Sequence, residues 1–312
     1  MKSEALSSSQ RLSLYFQATR PAFLSATLVA VLLGLAGARA QDVAFAPLPA
    51  LLTLLFALVA HAGANVLNDY YDALNGTDAA NVDRVFPFTG GSRFIQDGLL
   101  SPRQTFFFGL ALLVSVIPAG LWLVSRSTTG LLLTGVLGLL ITWAYSAPPL
   151  KLASRGLGEF AVASGWLLVI VGTDQVQRGS LSFMPLACGL SYALLLANLL
   201  YINQFPDRRA DALAGKRTLV VRLGARRARW GYLLLAVAAH AWLLLGIVLG
   251  CLPQAALVAM FAAPLLLHAA QGLWQHAEEP ARLAPAIKLT ILGLLLHGLL
   301  LAGALAVQGS AS

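Results

Sequence analysis

Asn65-Val66-Leu67-Asn68-Asp69-Tyr70-Tyr71-Asp72, continuing through Asn75-Gly76-Thr77-Asp78, ends an apolar run that begins at Leu48. Amides and carboxylates thus crowd the point where a membrane helix would reach water. The four-residue spacing puts Asn68 and Asp72 on one helical face, with Asn65 and Asp69 in the neighbouring row. Acidic groups at a membrane boundary are costly and mark function.

A second stretch echoes the first. Tyr201-Ile202-Asn203-Gln204-Phe205-Pro206-Asp207-Arg208-Arg209-Ala210-Asp211 also follows a long apolar run. Asn203 lies 135 residues after Asn68, and Asp207 lies 135 after Asp72. One such cluster alone reads as well as a solvated cap or turn. Two with matched spacing point to oxygen ligands facing each other across a cavity. Carboxylates and amide oxygens suit Mg²⁺, which bridges protein carboxylates to substrate phosphates. Pro206 is expected to kink or end its helix, because it lacks an N–H.

Hydrophobic residues make up 58% of the 312-residue chain and charged ones 11%. A soluble domain carries about 25% charged residues. The mean hydropathy of +0.76 agrees with a polytopic, all-α membrane protein. Nine apolar spans of crossing length can be marked, at 21–38, 48–74, 104–125, 129–147, 157–177, 183–205, 228–250, 254–275 and 284–307. They are expected to surround a central cavity within one domain over 1–312. Residues 1–20 form a surface segment with a short amphipathic part, Leu12 to Phe16. Ala38-Arg39-Ala40 looks like a signal-peptidase site, but the topology needs the first span to be retained. Cys188 and Cys251 lie in apolar runs and read as core residues, not a disulfide framework.

The net charge of +8 raises the question of nucleic acid, and its distribution answers it. With the N-terminus cytoplasmic, 18 of the 21 Lys and Arg residues fall in inner segments; only Arg39, Arg126 and Arg178 fall outside. That is the positive-inside bias of an inner-membrane protein, not a nucleic-acid surface. Both acidic clusters then face the cytoplasm. The two long inner loops, 75–103 and 206–227, carry most of the polar chemistry.

Cations accompany the acids on that side. Arg84 precedes Gly90-Gly91-Ser92-Arg93, Lys151 follows Tyr145-Ser146-Ala147-Pro148-Pro149-Leu150, and Lys216-Arg217 follows the second cluster. Most cytoplasmic arginines are topology anchors. Carboxylates for a metal together with Arg and Lys nevertheless describe a diphosphate clamp. Gly90-Gly91-Ser92 would let backbone amides approach an oxyanion. A polyprenyl diphosphate fits a membrane site, with its head at the rim and its tail along the helices. Leaving of the diphosphate creates an allylic cation. Tyr70, Tyr71, Trp143, Tyr145, Phe86 and Phe88 could offer π-faces to it. His61 lies one to two turns deeper than Asn65 and Asn68 and reads first as a satisfied buried histidine. Glu159 reads as a first-turn charge on the helix dipole.

At these residues the chain resembles the UbiA-type intramembrane prenyltransferases. Within them it is most similar to the branch that prenylates 1,4-dihydroxy-2-naphthoate in menaquinone synthesis. The likeness rests on Asn68-Asp69-Tyr70-Tyr71-Asp72 with Gly76-Thr77-Asp78, on Gly90-Gly91-Ser92-Arg93 with Gly98-Leu99-Leu100-Ser101-Pro102, on Tyr145 to Leu150, on Arg155-Gly156-Leu157-Gly158-Glu159 and on Gly215 to Gly224. It implies nine helices around a cavity and two Asp-rich motifs holding Mg²⁺ and diphosphate. By position it makes Asn68, Asp69, Asp72, Asp78, Asn203, Asp207 and Asp211 metal-binding residues. It places Lys151, Arg84 and Arg93 near the diphosphate. Lys216, Arg217, Tyr71 and Tyr145 complete the expected substrate contacts. Gly76 stands where a third acid is usual and Asp78 substitutes for it. Gln204 stands where an acid is expected, and Asp174 where an aromatic is. Other acceptors, such as 4-hydroxybenzoate, homogentisate or a porphyrin-type ring, remain open. A transporter or lipid-binding protein is the rival of another class, but transporters place ionisable groups near the midplane. Here, apart from His61 and Asp174, they crowd one rim.

Overall fold

The computed structural model describes residues 7–308. Among them there is no strand; these residues form a bundle of twelve α-helices joined by turns, 3₁₀ segments and one long loop, 81–101. In order these are α1 (Ser8–Ala18), α2 (Ser25–Arg39), α3 (Pro47–Leu74), α4 (Thr77–Ala80), α5 (Pro102–Arg126), α6 (Gly130–Ser146), α7 (Gly158–Arg178), α8 (Met184–Leu213), α9 (Leu219–Leu223), α10 (Ala225–Val248), α11 (Ala263–His276) and α12 (Ala284–Gln308).

Eight segments among the described residues are long and apolar enough to cross a membrane. The ninth expected span, α6, has 17 residues. At 1.5 Å rise per residue it reaches about 25 Å, a little less than a hydrocarbon core of about 30 Å. The span expected at 254–275 is a composite of a 3₁₀ run, Gln254–Ala262, and α11. Pro264 sits in the first turn of α11, where its missing N–H costs least.

The bundle has a clear centre. Of the most apolar 18 residues of α8, 78% are buried, against 17% for α5. Helices α7 and α10 pack on α8, and α2 packs on α7 and α12. The outer surface is apolar instead, with Leu121, Leu133 and Leu140 more than half exposed, as a lipid-facing wall requires. Close helix contact relies on small residues. A Cβ on Gly109 would lie 2.8 Å from the Leu67 side chain and 3.2 Å from its backbone nitrogen, so α3 and α5 can approach only because Gly109 has none.

Two sequence expectations are corrected. Helix α8 continues through Pro206 to Leu213 and does not end there. Asp207 and Asp211 therefore stand on helix, one turn apart, and the expected loop at 206–227 shrinks to a turn and α9. Proline removes one hydrogen bond, and the packing of this most buried helix outweighs that loss. The other long loop contains α4, which packs against both α3 and α8.

Candidate active site

The last turns of α3 carry the first cluster. Asn68 Nδ2 donates to Asp72 Oδ2 at 3.2 Å, the one-face relation that the spacing implies. It also donates to Ser146 Oγ at 3.2 Å, at the end of α6. Asn75 Nδ2 lies 3.3 Å from Asp72 Oδ1. Asp69 points elsewhere. It is buried, ion-paired with Arg20, and accepts the Ser92 amide at 3.1 Å.

The Gly90-Gly91-Ser92 turn is folded onto these acids. Both glycines have positive φ, +77° and +65°. A Cβ on Gly91 would lie 2.9 Å from an oxygen of Asp69 and 2.9 Å from one of Asp78. Only glycine permits both the conformation and that approach. The turn's Ser92 amide thus binds a protein carboxylate, where the sequence suggested a substrate oxyanion. Arg93 Nη1 donates to the Asp78 carbonyl at 2.7 Å, tying the same turn to the start of α4. Asp78 is buried, and Asp72 and Asp69 add their repulsion, so its pKa is pushed up to about 8.

Two bridges join the first cluster to the second. Asn81, just past α4, donates to Asp207 Oδ1 at 2.6 Å. Lys216, in the turn after α8, places Nζ 3.0 and 3.2 Å from the Asp72 oxygens and 3.2 Å from Asp211 Oδ1. Burial disfavours the ammonium, but Asp72 and Asp211 outweigh burial and its pKa is raised. Lys216 therefore links Asp72 of the first cluster to Asp211 of the second, and Asn81 ties the loop after α4 to Asp207.

The remaining expected residues are distributed less evenly. Tyr145 is half-buried in the last turn of α6, one residue before the Ser146 that accepts from Asn68. Tyr71 stands edge-on to Tyr70 at 5.0 Å and to Trp143 at 6.3 Å. Arg84 is half-buried, its guanidinium 5.5 Å from the Phe86 ring. Lys151 and Arg217 are exposed and form no ion pair with the acids. Asn203 is half-buried, with a buried Oδ1 that has no hydrogen-bond partner. Glu159 does more than sit on a dipole: Gln204 Nε2 donates to it at 2.5 Å, while the Val220 amide donates to Gln204 Oε1 at 3.4 Å. His61 is satisfied by Thr27 Oγ1 at 2.8 Å and stands edge-on to Trp166.

Sequence reasoning missed Arg20 and Asn81. Arg20 reads as a topology charge, yet it is the ion-pair partner of Asp69. Its signal was its place, a lone arginine before Pro21 at the acid-bearing end of a span. Asn81 gave none beyond being polar in a functional loop.

The donor set fits a hard cation. Among the described residues no three acidic or imidazole groups already converge as a metal cage. The facing groups are instead Asp72 and Asp211 across Lys216, with Asp207 beside Asn81. The buried Oδ1 atoms of Asn81 and Asn203 have no hydrogen-bond partner. Such oxygen ligands, few and mixed, match the sparse protein coordination of Mg²⁺, which keeps waters and substrate oxygens. Asn68, Asp72, Asn203, Asp207 and Asp211 are the residues that would hold it.

The chain is similar to several known proteins. The chain is 34% identical over 259 residues to 1,4-dihydroxy-2-naphthoate octaprenyltransferase of Mycobacterium tuberculosis, covering 82% of this chain and 85% of that one. It is 30% identical over 307 residues to the enzyme of the same name from Escherichia coli, covering 93% and 94%. Among solved structures, a UbiA homolog from Aeropyrum pernix superposes with a TM-score of 0.65 at 19% identity, over 88% of this chain and 96% of that one. A homolog from Archaeoglobus fulgidus, bound to DMAPP and Mg²⁺, gives 0.63 at 16% identity, over 92% and 98%. The model of the UbiA prenyltransferase family matches residues 24–292, a range that holds both acidic clusters and the bridges between them, and the chain belongs to that family.

Proposed function

We propose that this chain transfers a polyprenyl group from its diphosphate to 1,4-dihydroxy-2-naphthoate, at the cytoplasmic face of the inner membrane. The observation that carries it is the convergence of Asp72 and Asp211 on Lys216, with Asp207 bound by Asn81. Carboxylates that would hold Mg²⁺ and a cation that would face a diphosphate are thus brought together by the ends of α3 and α8. The acceptor is supported by the names of the relatives and by the branch motifs around Tyr71 and Gly91. The cytoplasmic orientation is supported by the 18 inner basic residues.

Each residue has a physical part. Asn68, Asp72, Asn203, Asp207 and Asp211 would hold Mg²⁺, with Asp69 and Asp78 as supporting acids in the layer behind. Bound there, Mg²⁺ supplies positive charge to the leaving diphosphate. Lys216, released from Asp72 and Asp211 as other charge arrives, turns its ammonium to the phosphate oxygens. Arg84 and Arg93 close the second side, and Lys151 and Arg217 reach in from the exposed rim. Preorganised cations act most strongly where negative charge develops. Tyr71, with Trp143 and Tyr145, presents ring faces to the allylic cation. An electron-rich ring carbon of the acceptor then bonds to the allylic carbon, and its carboxylate leaves as CO₂.

The test is turnover by purified protein with labelled polyprenyl diphosphate, with and without Mg²⁺. 1,4-Dihydroxy-2-naphthoate and 4-hydroxybenzoate are offered side by side. Mg²⁺-dependent prenylated naphthoquinol with CO₂ release is the expected result. Product from the benzoate alone would move the acceptor assignment. No diphosphate release with either would overturn the reaction and favour a transport role.

A further inference from the structure

Helix α1 presents three different faces. One packs on the bundle: Tyr15 meets Phe108 edge-on with ring centroids 4.8 Å apart, and Ala18 is buried with Val66 and Leu100. A second is polar, with Gln17 donating to Ser13 at 3.0 Å. The third carries Leu12 and Phe16, one turn apart, 72% and 62% exposed. Beside it an open groove of about 730 Å³ separates α1 from the start of α5, lined by Leu12, Tyr15, Phe107 and Phe108. Arg103 lines it too, its guanidinium 5.7 Å from the Phe107 ring. Arg11 is exposed on α1, which has no acidic residue.

The position of α1 is set by its C-terminal end. The carbonyl of Thr19 accepts from Asn65 Nδ2 at 2.9 Å, one residue before Arg20 reaches Asp69. Helix α1 therefore lies at the acid-bearing end of α3, level with the start of α5, which is the membrane boundary. Apolar side chains facing sideways, arginines near them and a separate polar strip are the pattern of a helix lying in the lipid interface. Basic groups without acids complement anionic headgroups.

We propose that the partner of this surface is an anionic bilayer, and that seating α1 in it holds Arg20 in the acid cluster. Leu12 and Phe16 enter the acyl boundary, and Arg11 and Arg103 meet lipid phosphates. Between α1 and the ion pair there is only Thr19, and Arg20 itself sits at φ +54°, in the left-handed region. A shift of α1 is thus transmitted directly to the guanidinium on Asp69. Arg20 is here a positioning residue for that acid. The lipid contact stands on geometry alone; its effect on substrate rests on the function proposed above.

The experiment places nitroxide labels at Leu12→Cys, Phe16→Cys and Gln17→Cys, in full-length protein whose Cys188 and Cys251 are replaced by alanine. The protein is reconstituted in vesicles of phosphatidylcholine with phosphatidylglycerol. Positions 12 and 16 are expected to be relaxed more by oxygen than by a water-soluble nickel chelate, and position 17 the reverse. Labels at 12 and 16 that meet the chelate freely would overturn the proposal. The second arm is Leu12→Glu with Phe16→Glu. It is expected to raise KM for polyprenyl diphosphate about tenfold, with kcat within about twofold and helicity unchanged. An unchanged KM would overturn the link to Arg20. Were the unaltered protein to consume no polyprenyl diphosphate, the function reading would fail while the label arm still decided the lipid contact.

Discussion

Lys216 Nζ lies 3.0 Å from Asp72 Oδ1, across 144 residues of chain. The same ammonium stands 3.2 Å from Asp211, so one cation holds together the ends of α3 and α8. Removing it leaves buried Asp211 and half-buried Asp72 without a cation between them. Lys216→Ala is expected to lower turnover roughly a hundredfold, the scale of losing one charge-stabilising group. It should also cost about 3 kcal/mol of stability, because an uncompensated buried charge is left behind. Lys216→Arg keeps the charge and should recover part of both. Thermal melts in Mg²⁺-free buffer beside steady-state kinetics check this; an alanine variant as stable and active as the parent would refute the bridge.

Asn81 makes a second, shorter link, to Asp207 at 2.6 Å. Asn81→Ala strips a hydrogen bond from a half-buried carboxylate, worth about 1.5–3 kcal/mol. The expected loss of stability is of that order, with a fall in turnover. Asn81→Asp should be worse at neutral pH, since it sets two carboxylates against each other. Comparing the two variants by melting temperature and turnover separates lost bonding from added repulsion.

Gly91 faces Asp69 and Asp78 with no room for a side chain. Gly91→Ala adds a methyl 2.9 Å from both carboxylates, at a φ of +65°. A destabilisation of about 1–3 kcal/mol is expected from the strained conformation alone. Gly98, also at positive φ but with nothing near, is the control: its alanine variant should lose less stability and keep its turnover.

Asp78 gives a pH signature. Its ordinary value of 3.8 is pushed up to about 8, first by burial and then by Asp72 and Asp69. The folded protein therefore holds a proton there that the unfolded chain gives up near pH 4. That contribution to stability is complete below about pH 4 and lost as pH rises through about 8. Mg²⁺-free protein should melt at lower temperature at pH 9 than at pH 6. Asp78→Asn, neutral throughout, should flatten that slope. An equal slope in the variant would contradict a protonated Asp78.

Much of this site was legible because helical spacing is a local property. Asn68 with Asp72 follows from the four-residue period alone; the same relation between Asp207 and Asp211 needs a helix that continues past Pro206. The long-range partners were not legible, since periodicity says nothing about which loop meets which. Arg20 precedes Asp69 by 49 residues and reads as one more topology charge. Asn81 meets a carboxylate 126 residues away. The continuation of α8 through Pro206 was hidden for a different reason. Proline's local penalty can be read from sequence, but the packing that overrides it cannot. Lys151, expected at the diphosphate, lies exposed; nothing in its own stretch tells how its side chain turns.

The most direct test of a single clamp built from both clusters is the turnover of Asp72→Ala and Asp207→Ala, measured separately in reconstituted protein with saturating Mg²⁺. Each variant is first shown by circular dichroism to be helical and inserted. Asp72 is on α3 and Asp207 on α8, so a shared diphosphate site makes both indispensable. The expected result is a loss of at least about a hundredfold in each. Near-normal turnover in either would contradict the clamp.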